Sequence, residues 1–419
     1  MNIKTKIKAG AIQYVLVVSV IIIIVLFAFI SLVFLQKKVA LKLDLQKETI
    51  HTTYLAFDYL KDHKIPYNVE TTLSFTDYDF ENTSVIKKRW GVFDVASVTS
   101  SLRNETYQKV ALLGNVNSNR KAIYLQENNQ PLVIVGTTKI TGDVTLPKRG
   151  VKTGNISGTS YYGQELIYGK ITTNSNQLPT IQNIAYLRQL LRELPIENQE
   201  YFRLKQGSNF AQSFTKNTKV FESEVDLELR NLSLQGNIVI ISKSKIKIEA
   251  TARLENIILI APEVIIESNV KGSFQVFANK KIHIKQDVEL NYPSSLVLLK
   301  QGGDIIPELS DSPAIQIDNK STIKGVILYH NKSKASNYNT QVLIDEKARI
   351  TGEVYCNKNL DLKGTVNGFV YTNNFIAKQS GGVYINHLFN AQIDATAISK
   401  KYNGLFIDTE NRQVAKWIE

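Results

Sequence analysis

The stretch that decides the fold runs from Ser244 to Asn279 and reads SKIKIEATARLENIILIA, then PEVIIESNVKGSFQVFAN. The two halves align with each other in one 18-residue step. The alignment also matches residues 258–260 with 276–278, and the run 296–299 follows after an insertion near Tyr292 and Pro293. The columns that keep the step contain Ile246, Val264 and Ile282; Ile248, Ile266 and Ile284; Ala252, Val270 and Val288.

A second repeat, with a 16-residue step, follows towards the C-terminus. ITGEVYCN, from Ile350, recurs as VNGFVYTN from Val366. IKGVILYHN from Ile323 belongs to the same series, and an insertion rich in Lys, Ser and Asn follows it at 333–340. Residues 140–144 are an earlier copy of the same short pattern. The matched pairs are Gly352 with Gly368, Val354 with Val370, Tyr355 with Tyr371, Asn357 with Asn373 and Leu360 with Ile376.

A repeat this short holds two or three short strands, which is too few to bury an apolar face alone. Stacked repeats place each apolar column over the next and build one continuous core. Glycine or asparagine at the corners supplies positive φ. We therefore predict a mainly β chain whose body, 131–387, is a parallel β-helix. An antiparallel sandwich is the alternative, and three columns in one register disfavour it.

An uncharged helix from Ala11 to Leu35 is predicted to cross a membrane once. Its 25 residues span about 37 Å at 1.5 Å per residue, more than the ~30 Å of a bilayer's hydrocarbon core. A basic leader, 1–10, precedes it and further lysines follow it. The positive charges on the two sides are nearly balanced, but the short leader favours a signal-anchor with the body outside the cytoplasm, in the periplasm or at the cell surface.

Residues 36–64 are predicted to continue the helix as an amphipathic linker that stops near His63, before Ile65 and Pro66. The predicted apolar stripe of this linker contains Leu43, Ile50, Tyr54 and Phe57.

The leader, the apolar helix and the linker together resemble the N-terminus of type IV pilins and pseudopilins. The resemblance covers the chain only as far as the end of the linker. It implies cleavage between Gly10 and Ala11, and packing of the apolar helix in a filament core. Val15 stands where that family usually has a glutamate.

The segment 65–130 is predicted to be a small β-rich region, because short apolar stretches alternate with clusters of Asn and Ser. A short helix is expected within 180–195, with Thr180 as its N-cap, to cover an end or a face of the β structure. Residues 388–419 depart from the repeat and are predicted to cap the last coil, with Asn403 and Gly404 in a hairpin turn.

The short glycine-marked units at Ile140, Ile350 and Val366 resemble those of bactofilins, which are polymer-forming parallel β-helices. This resemblance covers roughly 130–175 and 235–385. It implies a scaffold that stacks end to end. The insertions and the helix within 180–195 depart from the uniform bactofilin core.

The net charge of +12 is spread along the chain, and no nucleic-acid motif accompanies it. We predict no nucleic-acid partner, while an acidic glycan stays open as a ligand. Cys356, the single cysteine, is expected to be a buried packing residue, and Trp90 a packing residue at a strand end.

No catalytic, cofactor-binding or metal-binding residue is predicted. Glycoside hydrolysis needs two carboxyl groups about 5–10 Å apart, and the acids near the repeats are scattered. His283 is expected to point outward, no histidine pair has metal-ligand spacing, and residues 301–304 form a turn without a P-loop. The acids considered are Asp287, Asp304, Asp318, Asp345 and Asp361; the histidines are His51, His63, His283, His330 and His387.

The sequence thus predicts a membrane-anchored structural or assembly protein of the bacterial cell envelope and not an enzyme. A minor pilin-like component of a pilus or secretion apparatus is the most specific form of this hypothesis, with the bilayer, protein partners or further copies of itself as partners. Two alternatives stay open. One is a carbohydrate-binding or polysaccharide-cleaving β-helix; the other is a bactofilin-like scaffold facing the cytoplasm.

Overall fold

The computed structural model confirms a mainly β chain with one long N-terminal helix and a parallel β-helix. It describes residues 9–75, 80–117, 119–173, 176–196, 199–205, 207–300, 312–333, 338–408 and 411–419. Of the sequence-based predictions, the charged part of the leader, the turn at 301–304 with Asp304, and 334–337 of the lysine-rich insertion lie outside the described residues.

Two helices are described, α1 (Ala9–Asp62) and α2 (Ile184–Leu190). The strands of the N-terminal half are β1 (Glu70–Leu73), β2 (Glu81–Trp90), β3 (Phe93–Leu102), β4 (Glu105–Asn115), β5 (Ile123–Leu125), β6 (Leu132–Val135), β7 (Lys139–Thr141), β8 (Val144–Thr145), β9 (Val151–Thr153), β10 (Asn155–Ile156), β11 (Thr159–Ser160), β12 (Ile171–Thr172), β13 (Gln199–Tyr201), β14 (Asn209–Gln212), β15 (Thr218–Ser223) and β16 (Leu227–Leu229).

The strands of the C-terminal half are β17 (Ser233–Gly236), β18 (Ile238–Ser242), β19 (Lys245–Ile248), β20 (Arg253–Ile260), β21 (Glu263–Ile266), β22 (Lys271–Ala278), β23 (Lys281–Ile284), β24 (Glu289–Lys300), β25 (Ile315–Ile317), β26 (Thr322–Asn331), β27 (Val342–Ile344), β28 (Arg349–Leu362), β29 (Thr365–Gln379), β30 (Gly382–Ile385), β31 (His387–Phe389), β32 (Gln392–Asp394) and β33 (Arg412–Trp417).

Three parallel sheets form the walls of the β-helix. Sheet I contains β13, β15, β18, the second halves of β20, β22, β24 and β26, the middle of β28 and β29, then β5, β8 and β12. Sheet II contains β14, β17, the first halves of β20, β22, β24, β26, β28 and β29, then β32 and β7. Sheet III contains β16, β19, β21, β23, β25, β27 and the end of β28, and continues in β31, β6 and β9.

The 18-residue step is confirmed in sheet III, where Ile246 pairs with Val264 and Val264 with Ile282. The 16-residue step is confirmed in sheets I and II, where Gly352 pairs with Gly368 and Val354 with Val370. These apolar columns lie inside the coil and form one continuous core, as the period predicts.

Two of the predicted alignments are wrong by one residue. Leu259, and not Ile258, pairs with Val276, because the register shifts at a bulge after Glu255. Leu360 pairs with Phe375 and not with Ile376, because a second shift follows Cys356. A bulge adds one residue to one strand, so a fixed repeat length cannot follow it.

Three stacked glycines turn the chain between sheet II and sheet I. Gly325, Gly352 and Gly368 have φ of 146°, 149° and 150°, which side chains rarely tolerate. A Cβ on Gly352 would overlap the carbonyl oxygen of Gly325 on the neighbouring coil. The glycine of the I-x-G-x-V unit is therefore required by the corner it occupies.

The coils do not stack in the order of the sequence. Strand β29 is followed in the stack by β32 on sheet II and by β5 on sheet I, and β5 is followed by β8 and β12. One coil, which we call the composite coil, therefore takes β32 from near the C-terminus and β5 and β6 from far earlier in the chain.

The predicted C-terminal cap is wrong. Residues from Leu388 continue the stack in β31 and β32, and the coil formed by β6 and β7 lies on them. Asn403 and Gly404 do not form a hairpin turn, since Gly404 instead makes an antiparallel bridge to Asn115. Bulky C-terminal side chains, among them Tyr402, Leu405 and Ile407, instead pack with the outer face of sheet I.

Sheet I is apolar on both faces, because alternate side chains such as Phe277 and Val297 point away from the coil and are still buried. The crossover between β12 and β13 joins the two ends of sheet I, and residues 176–196 of it are described. Helix α2 lies in this crossover, and its Leu187 and Leu190 pack on the outer face. The predicted covering role of this helix is confirmed.

The predicted N-cap of α2 is wrong. Asn183 occupies the cap position without a side-chain hydrogen bond, and the backbone N–H of Thr180 instead donates to Asp408 Oδ1 at 2.9 Å. The helix is thus positioned by packing and not by a cap.

By their contacts the described residues divide into two compact units. The first contains α1 up to Tyr59, residues 70–85 and residues 98–109; the second contains the rest, including the β-helix. Strands β2, β3 and β4 run through both units, in a sheet of order β1-β2-β3-β4-β33.

Within the first unit, the buried face of α1 is rich in threonine. Thr49, Thr52 and Thr53 are buried, and Thr53 Oγ1 donates to the carbonyl oxygen of Thr49 at 2.8 Å. Of the predicted stripe only Phe57 is buried, whereas Leu43, Ile50 and Tyr54 are exposed. Each threonine hydroxyl is satisfied by its own helix, so this face can be buried although it is not aliphatic.

Candidate functional site: the anchor helix and buried ionic contacts

The apolar part of α1 is the first candidate site. Every described side chain from Gly10 to Asp44 is exposed, and the first buried one is Thr49. The most apolar window of this helix has a mean hydropathy of 3.4, so the helix is long and apolar enough to cross a membrane. Such a surface needs lipid or other apolar helices around it.

The predicted cleavage position, Gly10 and Ala11, lies in the first turns of α1 and is exposed. Nothing outside the helix lies within 4 Å of the position that a Cβ on Gly10 would take. Val15, at the fifth position after Gly10, is 66% exposed and aliphatic. It therefore offers no charge to a neighbouring N-terminal amine.

A buried ion pair lies on the outside of sheet I. Arg120 Nε lies 2.8 Å from Glu353 Oε1, and the two side chains are 4% and 1% exposed. Glu353 Oε2 accepts the backbone N–H of Leu405 at 2.7 Å. Arg120 also donates to the carbonyl oxygens of Tyr402 and Asn115, both at 2.7 Å. Burial raises the pKa of Glu353, while the guanidinium of Arg120 opposes that rise.

A second ionic cluster surrounds Tyr67. Arg412 Nε and the Tyr67 hydroxyl both donate to Asp94 Oδ2 at 2.9 Å, and Arg412 also donates to the Tyr67 hydroxyl at 2.9 Å. Lys87 Nζ and the guanidinium of Arg89 lie 4.2 Å and 4.4 Å from the centre of the Tyr67 ring. Burial, followed by the charge of Asp94, raises the pKa of Tyr67, so the phenol stays protonated.

A third contact fixes α2 to sheet I. Arg188 donates to the carbonyl oxygen of Lys300 at 2.9 Å and lies 2.9 Å from His330 Nδ1. Burial, and then the charge of Arg188, lowers the pKa of His330 to about 4. The imidazole is thus neutral near pH 7 and accepts the hydrogen bond.

The other candidate acids and histidines form no three-residue cluster in the described part of the chain. His283 points outward and pairs with Asp318 at 3.0 Å, Asp287 lies in a turn, Asp345 directly precedes one, and Asp361 is buried. Among the described residues, no group of three His, Cys, Asp or Glu side chains could hold a metal ion.

The two packing residues predicted from the sequence are confirmed. Cys356 is fully buried, and burial raises the pKa of its thiol to about 12. Trp90 is 3% exposed, ends β2, packs edge-on against Phe214 and donates to the carbonyl oxygen of Asn256 at 3.2 Å.

Replacing Asp361 by asparagine is expected to stabilise the protein at pH 7 by about 1–3 kcal/mol. Burial raises the pKa of Asp361 to about 6, and no hydrogen bond to its carboxylate is found among the described residues. The folded state therefore binds a proton more tightly than the unfolded state, so the cost grows as the pH rises from about 4 to about 6. Urea denaturation of both forms at pH 4 and pH 7 measures it.

The gain from Asp361→Asn should be largest at pH 7 and much smaller at pH 4, close to the unfolded pKa of about 3.9, and it should vanish only below that pH, where both states are protonated. Asp318→Asn is the matched control, because Asp318 is partly exposed and paired with His283. A variant less stable than the native protein at pH 7 would contradict the prediction.

Sequence reasoning missed Arg120 and Glu353. A signal was present: Glu353 occupies the register position of Val326 and Phe369 in the neighbouring repeats. A carboxylate at a position that is apolar in the adjacent copies indicates a buried partner. The partner itself gives no such signal, because Arg120 lies far earlier in the chain, between β4 and β5.

Comparison with known proteins gives no family. No family model matches the chain, and no curated protein matches its sequence. Among solved structures, the chain is similar to the competence-associated pilin ComZ from Thermus thermophilus, at 10% sequence identity and a TM-score of 0.23. The comparison covers 92% of this chain and 95% of that chain. A likeness of this quality carries no argument about fold or function.

Proposed function

We propose that this chain is a membrane-anchored, non-catalytic structural component of an envelope assembly, with its body outside the cytoplasm. The observation that carries the proposal is the exposed apolar helix from Gly10 onward, which continues into a helical segment whose one face is buried from Thr49 onward. A single continuous helix can hold the folded body at a membrane, or pass from the membrane into a bundle of like helices.

The pilin-like form of the proposal rests on the N-terminal residues. The leader, Gly10 and the apolar helix resemble the pattern of that family, with Val15 in place of its usual glutamate, and both Gly10 and Ala11 are exposed. The bactofilin-like form rests on the short glycine-marked repeats and on the stacking of parallel coils, which can continue from one molecule to the next. The two forms differ in processing and in topology, so both can be tested.

The intact mass of the protein from its native membrane tests the pilin-like form. We expect a chain that begins at Ala11, because a leader peptidase would cut after Gly10. A Gly10→Ile variant is the matched control, since a bulky residue before the cut should leave the leader in place. A native protein that keeps Lys4, Lys6 and Lys8 would overturn this form of the proposal.

Protease added to intact spheroplasts tests the topology. A body outside the cytoplasm should be degraded to a fragment that contains the apolar helix. If the body survives until the cells are lysed, the external location is wrong and a scaffold facing the cytoplasm replaces it.

A further inference from the structure

A cleft of about 410 Å³ opens on the second unit, beside the end of β2. Its lining combines cations, phenol rings and neutral polar groups, among them Lys88, Arg89, Tyr186, Asn217, Thr218 and Asn237. The volume is within the range of small-molecule sites. No Asp or Glu is among its lining residues in the described part of the chain.

Arg89 is held in this cleft by aromatic rings alone. Its guanidinium carbon lies 4.4 Å from the centre of the Tyr67 ring and 4.9 Å from that of Tyr186. Within the described ranges the side chain of Arg89 makes no hydrogen bond and no ion pair. Ring contacts fix the guanidinium plane but use none of its five N–H donors, which suit a carboxylate or phosphate.

Several cationic side chains lie near Arg89. Lys87, Arg89 and Arg412 surround the Tyr67 ring, and Lys88 also lines the cleft. Asp94 Oδ2 accepts hydrogen bonds from Arg412 and Tyr67. An anion in the cleft would meet the cations Arg89 and Lys88, with no carboxylate among the described lining residues.

Neutral polar side chains in the lining of the cleft are held by hydrogen bonds. Thr218 donates to Asn237 Oδ1 at 2.9 Å, and Asn237 Nδ2 donates to the carbonyl oxygen of Lys216 at 2.9 Å. Asn217 Nδ2 donates to Glu200 Oε1 at 3.0 Å. This bond fixes the orientation of the amide, and Asn217 Oδ1 accepts no hydrogen bond among the described residues. An acceptor held in this way suits the hydroxyl of a sugar.

We propose that this cleft binds a saccharide that carries a carboxylate. Arg89 would bind the carboxylate, and Asn217 would accept hydrogen bonds from the hydroxyls. Cleavage is not part of the proposal, because glycoside hydrolysis uses a pair of carboxyl groups that the described lining lacks. The proposal does not depend on the assembly role, since the purified chain would bind the sugar whether or not it has partners.

The test is calorimetric titration of the full chain in detergent with trigalacturonate. The native protein should bind it, and the fully methyl-esterified trisaccharide should not bind. Arg89→Ala should weaken binding about 10- to 100-fold, as expected for the loss of a charge-assisted pair. Lys88→Ala, at an exposed position that carries no packing, should weaken it by roughly 3-fold and guards against misfolding of the first variant.

Arg149→Ala is the matched control, because Arg149 is exposed and lies outside the cleft. Its binding should equal that of the native protein. The proposal is overturned if the native chain does not bind trigalacturonate at millimolar concentration, or if Arg149→Ala weakens binding as much as Arg89→Ala. Equal binding of the methyl ester, or of inorganic phosphate, would also overturn it.

Discussion

Replacing Glu353 by alanine should destabilise the folded body by about 3–5 kcal/mol, because it leaves the guanidinium of Arg120 buried without its carboxylate. An arginine cannot lose its charge to escape this cost, because the guanidinium is not deprotonated in proteins. The variant also leaves the backbone N–H of Leu405 without its acceptor. Urea denaturation of the full chain in detergent, followed by near-ultraviolet circular dichroism, measures the loss.

Two further variants separate charge from packing at this pair. Glu353→Gln keeps an acceptor for Leu405 but also removes the carboxylate beside Arg120, so it should be destabilised, though less than Glu353→Ala. The double variant Arg120→Met with Glu353→Leu removes both charges and should be more stable than Glu353→Ala, since no buried charge is left alone. If Glu353→Ala unfolds at the same urea concentration as the native protein, the pair does not hold the C-terminal segment in place.

Three arginines in the apolar helix should release the protein from the membrane. Ile21→Arg, Ile24→Arg and Phe27→Arg lie near its middle, where each arginine costs about 2.5–3.5 kcal/mol of insertion free energy. Together they cost about 7.5–10.5 kcal/mol. The roughly 20 apolar residues of the helix contribute about 6–12 kcal/mol in the opposite direction, so insertion is nearly cancelled.

Carbonate extraction of membranes is the measurement, with the protein expected in the soluble or aggregated fraction. The matched control places arginine at Val39, Leu41 and Leu43, which are exposed on the same helix but beyond the span. The control adds the same charge near the membrane surface and should stay in the membrane. Retention of the first variant would show that the helix is held by protein partners and not by lipid.

The columns of the repeat were predictable from the sequence, because a stacked core imposes its period on every coil. Ile246, Val264 and Ile282 lie where the 18-residue step places them. The bulges after Glu255 and Cys356 were not predictable, since each depends on the neighbouring coil and not on the residue itself. The composite coil was also not predicted, because the sequences of β5 and β32 do not indicate that each of them pairs with β29.

Of the candidate sites, one was predictable from the sequence and another was not. The apolar helix is a property of one continuous segment and was predicted from composition alone. The cleft around Arg89 takes side chains from β2, from the region of α2 and from the turns before β15 and β18, so its chemistry exists only after folding. The threonine face of α1 was missed because its hydroxyls are satisfied by their own helix, which no apolar pattern reveals.

The composite coil has a consequence for synthesis. The coils of residues 123–172 rest on β29 and β32, and β32 is completed only when Asp394 has been added, long after Thr172 has left the ribosome. At about 5–20 residues per second, these early coils wait about 10–45 s for the surface they need. During that time their strand edges are exposed to other chains, so a nascent chain of this protein should need protection until β29 and β32 have emerged.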